Sequence, residues 1–111
     1  MAMDVYGYSP AAPEGNHFRR SIWCWHPLAD LCCKLAPEES RACKEWHYNE
    51  GFGMSGPQSV RLAERLDQLV SDGTAAAYLK QHPPEDPFRL DLEHVTEFIT
   101  FLRVCGGFTI W

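Results

Sequence analysis

Apolar positions recur at three- and four-residue spacing along three stretches of this chain, and each such stretch predicts a helix. The clearest runs through Val60, Ala63, Leu66 and Val70, flanked by Leu62 and Leu69, with Arg61, Glu64, Arg65 and Asp67 mostly off the stripe. Ser55 or Gly56 caps its start, Pro57 fills its first turn and Gly73 ends it as a C′ residue. Leu28, Leu31, Cys32 and Leu35 define a helix that begins at Pro27 and is interrupted by Pro37. Pro37-Glu38-Glu39 then opens a short one, with acids at the positive end of its dipole. The last helix begins near Asp91, a good N-cap, and buries Val95, Phe98, Ile99, Leu102 and Cys105 before Gly106-Gly107 stops it.

The remaining segments are less regular. Thr74–Gln81 suits a further short helix closed by His82-Pro83-Pro84, and Trp46–Pro57 reads as a glycine-rich loop. Phe18–Trp25 has β-prone residues without clean alternation, so strand and irregular lead-in both stay open. Phe108-Thr109-Ile110-Trp111 is an apolar ending able to pair as a strand. Residues 1–16, with Gly7, Pro10, Pro13 and Gly15, read as an extended, loosely packed N-terminal arm, and residues 17–111 as a single globular domain. The expected fold is mainly α, with α+β open: a compact domain of about four helices and short strands near the ends.

Composition narrows the function classes. A chain of 111 residues with 13% aromatics has difficulty burying every ring, which leaves some for a surface or pocket. The net charge of −5 argues against binding duplex nucleic acid. No stretch approaches a membrane span, and no basic region precedes an apolar run at the start. Five cysteines without regular spacing read as free thiols, and the expected location is the cytoplasm.

The densest candidate chemistry lies in Phe18-Arg19-Arg20-Ser21-Ile22-Trp23-Cys24-Trp25-His26. Arg19 and Arg20 offer guanidinium forks matched to phosphate or carboxylate, and Trp23 and Trp25 offer flat faces for a base or ring. With His26, and with His47, Tyr48 and Asn49 from the glycine-rich loop, they form the expected ligand-binding set. The competing reading makes the tryptophans core anchors and pairs the arginines with local acids. Cys33, Cys43 and His47 are the strongest metal candidates, since Cys43 and His47 would share a helical face. No Cys-x-x-Cys pair supports them, and no cofactor is expected. The His47–Gly53 loop lacks the acids of a calcium site and the Gly-Lys-Ser/Thr ending of a P-loop. Neither Cys24, Ser21 nor Ser55 sits in a recognisable nucleophile motif, which weighs against an enzyme.

Phe18-Arg19, Trp23, Trp25, Pro27-Leu28 and Cys32 together resemble a stretch in small uncharacterised proteins of bacteria and their phages. Those carry a Phe-Arg-Asn-Asn-Val-Trp-Trp-Trp-Arg-Pro-Leu-Trp signature. The likeness continues through His47-Tyr48-Asn49-Glu50-Gly51, Ala63, Leu66, Pro87-Phe88, Phe98, Phe101-Leu102 and Gly106-Gly107-Phe108. Arg20 and Ser21 stand for the two asparagines, Cys24 for the central tryptophan and His26 for an arginine, which leaves a weaker cation there. Some longer members insert a zinc-knuckle-like segment, for which His82–Asp86 is too short. The resemblance implies a shared fold and a shared surface.

Two classes of function follow. The first is a non-enzymatic, phage- or prophage-associated binding protein, with anti-defence as one role. Its Phe18–His26 surface would capture a small anionic nucleotide-like ligand or a host protein, where exposed Trp and Arg serve as hot spots. The second is a metal- or thiol-dependent enzyme using the Cys/His cluster. A homo-oligomer held by the aromatic surface is a further, structural reading.

Overall fold

The computed structural model describes residues 2–82 and 90–111. Its chain order is β1 (Ala2–Gly7), a 3₁₀ turn (Pro13–Gly15), β2 (His17–Ser21), α1 (Ile22–Leu35) and α2 (Pro37–Ser40). There follow β3 (Gly53–Ser55), α3 (Gly56–Ser71), α4 (Thr74–Gln81), α5 (Leu92–Val104) and β4 (Gly107–Ile110). The strands form one antiparallel sheet in the order β2-β1-β4-β3, so the fold is α+β rather than mainly α. The Pro83-Pro84 stop and the Pro87-Phe88 motif lie outside the described residues.

The expected N-terminal arm is instead a central strand. In β1, Met3 and Val5 are buried while Tyr6 is exposed, a two-residue period that buries one face of a strand. The glycines and prolines that suggested a loose tail build the β1–β2 connection. There Gly7 donates its amide to the Asn16 carbonyl at 3.1 Å. Gly15 packs so closely on Val104 that an added Cβ would lie 2.2 Å from that residue's carbonyl oxygen.

β4, expected from its apolar run, pairs with both β1 and β3. Val5 faces Phe18 on one side and Ile110 on the other, and all three are buried beneath the helices with Met3, Met54 and Phe108. β3 is the missed strand, three residues of the predicted loop. It lies so close to β4 that a Cβ on Gly53 would meet the Phe108 carbonyl oxygen at 1.7 Å.

α1 begins before the proline expected to open it. Ser21 accepts the Cys24 amide at 3.3 Å as N-cap, and Pro27 lies inside the helix. A proline there adds no N–H to the ladder. Burial of Trp25, Leu28, Ala29, Leu31 and Cys32 on the same helix offsets that loss. α3 has the capping box that Ser55 and Gln58 form, and Gly73 takes positive φ after it. Its buried face is Ser59, Leu62, Ala63, Leu66 and Leu69; Val60, placed on the stripe by spacing, is 37% exposed. Asp91 caps α5 by accepting the His94 amide at 3.1 Å.

An aromatic cluster joins the two layers. Phe98 of α5 lies 5.1 Å from Phe18 and meets Trp25 edge-on at 5.7 Å, while Trp46 packs on Phe108 at 6.0 Å. Both buried indoles keep a hydrogen-bond partner: Trp25 Nε1 donates to the Trp46 carbonyl at 2.7 Å and Trp46 Nε1 to the Ser40 carbonyl at 3.0 Å. Trp25→Phe removes one of these donors and leaves the Trp46 carbonyl short of a partner. The variant should lose about 2–4 kcal/mol of stability, read from urea unfolding. A loss within error would show that this bond is dispensable.

Candidate binding surfaces

Consecutive residues of a strand point to opposite faces, and β2 divides the two arginines accordingly. Arg19 lies on the outer face of the sheet, where its guanidinium meets the Asp4 carboxylate at 3.0 and 3.2 Å. His17 binds the same carboxylate at 2.7 Å. The His17 hydrogen bond, and then Arg19, hold the Asp4 carboxyl below the usual range. Arg20 lies on the helix side. It donates to His94 Nδ1 at 3.1 Å, to the Glu97 carboxylate and to the Arg19 carbonyl at 2.8 Å, and its guanidinium lies 4.1 Å from the Phe18 ring centroid. The expected pair of guanidinium forks beside two indoles therefore does not assemble. Trp25 is core, with no exposed surface, and Trp23 stands 55% exposed on α1.

The structure does bring His26 and His47 together. Trp23, His26 and Asp30 recur three and four residues apart along α1, which places them on one helical face. His26 Nδ1 and His47 Nδ1 are 2.6 Å apart, and His47 Nε2 lies 3.0 Å from Asp30 Oδ1. A carboxylate only accepts, so His47 donates Nε2–H to Asp30 and, when both rings are neutral, accepts at Nδ1 from the Nδ1–H of His26. That leaves the unprotonated Nε2 at the His26 end. Partial burial, and then the neighbouring His47, push the His26 value below 6.5. Tyr48 and Asn49 are exposed in the same loop.

The Cys33, Cys43 and His47 set does not form a metal site. Cys33 is near enough to Cys43 to oppose its ionisation, but His47 turns to His26 and Asp30. Among the described residues, no group of three or more His, Cys, Asp or Glu side chains is placed to hold a metal. Desolvation raises the five thiols, Cys43 to about 12, although Cys33 is exposed at the residue level. No helix of the described chain is long and apolar enough to cross a membrane.

Sequence reasoning missed a second surface, the outer face of the sheet, because it depends on β1 being a strand. The register sets Arg19, Asp4 and Trp111 in one row across β2, β1 and the end of β4, with the Trp111 amide donating to the Asp4 carbonyl at 2.6 Å. The next row is His17, Tyr6, Thr109 and Gly53. Tyr6 stacks on His17 at 4.7 Å, and the Trp111 indole covers Gly51 and donates to Thr109 Oγ1 at 3.1 Å. Tyr6, Tyr8 and Trp111 are 45%, 64% and 54% exposed, and no described element lies over this face. Its charges cancel locally, Arg19 against Asp4.

The shift at His26 predicts a pH dependence of stability. Below 6.5 the unfolded chain takes up a proton that the folded chain resists. This contribution is therefore whole above 6.5 and is lost as pH falls through the lowered folded value. Asp4 and Asp72, both lowered, act in a separate window that opens as pH falls below 3.8. The thermal midpoint should drop between about pH 8 and about pH 5, and His26→Asn, which keeps a donor and removes the titration, should drop less. Equal drops in the two proteins would disprove the assignment.

No family profile, curated protein or solved structure matches this chain.

Proposed function

We propose that this chain is a non-enzymatic binding domain that docks a partner protein on the outer face of its sheet. The observation that supports it is the set of three half-exposed aromatic side chains, Tyr6, Tyr8 and Trp111, grouped with Arg19 on a face that no described element covers. Trp, Tyr and Arg are the residue types that dominate binding energy at protein interfaces. A sheet face is also a rigid base, so little ordering entropy opposes docking. Because the face is locally neutral on a chain of net charge −5, it favours a protein over a polyanion. The resemblance to small bacterial and phage proteins makes a host protein the partner class, in a phage or prophage setting with anti-defence as one role.

Capture of a small nucleotide draws less support from the geometry. Arg19 and Arg20 face opposite ways, each already holds a carboxylate, and Trp25 is not available to stack. A thiol-dependent enzyme draws less still, given the raised thiols.

A photo-crosslinking residue at Thr109, between Tyr6 and Trp111, should trap a discrete protein in cells, whereas one at the exposed Arg61 of α3 should not. Trp111→Ala with Tyr6→Ala should weaken that partner's affinity by about tenfold to a hundredfold while leaving the fold intact. Calorimetry with a panel of nucleotides should give no heat. Crosslinks only to a second copy of the chain, or nucleotide heat abolished by Arg19→Ala, would each overturn the reading.

A further inference from the structure

Among the described residues β2 is an edge strand, and its outer edge has a defined set of backbone groups. The Asp4 carbonyl accepts from Trp111, so Asp4 points its backbone toward β4 and cannot also bond β2. Asp4 and Arg19 are register partners, and they therefore form a non-hydrogen-bonded pair. Two residues on, Tyr6 and His17 do the same. The amides and carbonyls of Arg19 and His17 thus point away from the sheet, where no described strand lies. The Arg19 carbonyl bears this out, since it is reached from outside by the Arg20 guanidinium at 2.8 Å.

Beside this edge runs a groove of about 300 Å³ between β2 and α5. Phe18 and Phe101, 6% and 1% exposed, form its apolar floor, with Glu14, Arg19, Arg20 and Glu97 around them. Arg20 is fastened to His94 and Glu97, so it can release the Arg19 carbonyl and remain anchored to α5. A groove between an edge strand and a helix, with outward backbone donors and acceptors along one wall, is complementary to an extended chain.

We infer that the β2 edge is a peptide-binding site, which takes an extended segment of a partner polypeptide as a fifth strand alongside Arg19 and His17. Backbone hydrogen bonds to these two residues hold the segment. Alternate side chains of the segment turn into the groove against Phe18 and Phe101, so they are apolar. The arginines and glutamates lining the groove compensate one another, which gives no preference for a charged segment. Arg20 acts as an edge guard, covering the Arg19 carbonyl until a strand replaces it. The site is separate from the outer-face aromatics and does not depend on their role.

Peptides of about eight residues, selected from a random display library against the full chain, test this directly. The selected peptides should carry apolar residues at alternate positions. Arg19→Pro deletes an outward amide and the Asp4 ion pair but keeps the backbone bonds to β1, because proline is tolerated on an edge strand where its nitrogen faces solvent; Arg19→Ala, which removes the ion pair alone, is its control. The proline variant should bind them about tenfold more weakly or worse. N-methylation of the peptide amides should abolish binding at alternate positions only, a readout that stands even where Arg19→Pro fails to fold. Trp111→Ala should bind normally. A library that yields no binder, or peptides indifferent to both Arg19→Pro and N-methylation, would overturn the proposal. Peptides lost with Trp111→Ala alone would move the contact to the outer face, overturning the edge site while sustaining the proposed function.

Discussion

The structure depends on the pairing of its first strand with its last. β1 and β4 are the two inner strands of the sheet, and each lacks an open edge because it lies between two others. Without β1 the sheet would separate into a lone β2 and a β3–β4 pair, and isolated pairs of strands are marginal in water. The aromatic contacts of Phe18 and Phe108 with the helix layer rest on this closure. Phe18 reaches the aromatic cluster only when β2 is held beside β1, and Phe108 only when β4 is held on its other side.

Closing the sheet covers one face and leaves the other. The helices bury Met3, Val5, Phe18, Met54, Phe108 and Ile110, which takes up the apolar half of each strand. The opposite half carries Asp4, Tyr6, His17, Arg19 and Thr109, groups that tolerate water and also make directional contacts. Non-hydrogen-bonded cross-strand pairs bring side chains closest together. That spacing accounts for both the Asp4–Arg19 ion pair and the Tyr6–His17 stack. These contacts hold the outer side chains in place.

Elements with strong periodicity and caps were legible from the residues alone: α3 with its capping box, α5 behind Asp91, and β4 after the Gly106-Gly107 stop. β1 was hidden because its alternation covers only a few residues and the Gly/Pro-rich connection after it resembles a disordered tail. The start of α1 was hidden by Pro27, a signal for a first turn that here falls inside a helix held by packing. The same shift in the helix start bears on the site. With the helix begun at Ile22, Trp23, His26 and Asp30 fall on one face and Asp30 becomes the evident partner of a loop histidine. His26 and His47 were among the expected residues and do meet. Arg19, Arg20 and Trp25 were expected on one surface, and strand alternation together with the α1 register sends them to three different environments.

β2 and the first turn of α1 show how much a short segment can be made to do when its periodicity changes within it. Through β2 the period is two, so Arg19 serves the outer face and Arg20 bolts the edge to α5. After Ser21 the period becomes 3.6, and Trp25 turns inward while His26 turns toward the 47–49 loop. A single polar and aromatic run thereby contributes to the core, to the helix–sheet joint and to two exposed surfaces. A composition that suggested one concentrated site is better understood as the junction where all of these meet. The side chains that the junction leaves outside consequently lie on the outer face of the sheet, along its edge and on the exposed side of α1.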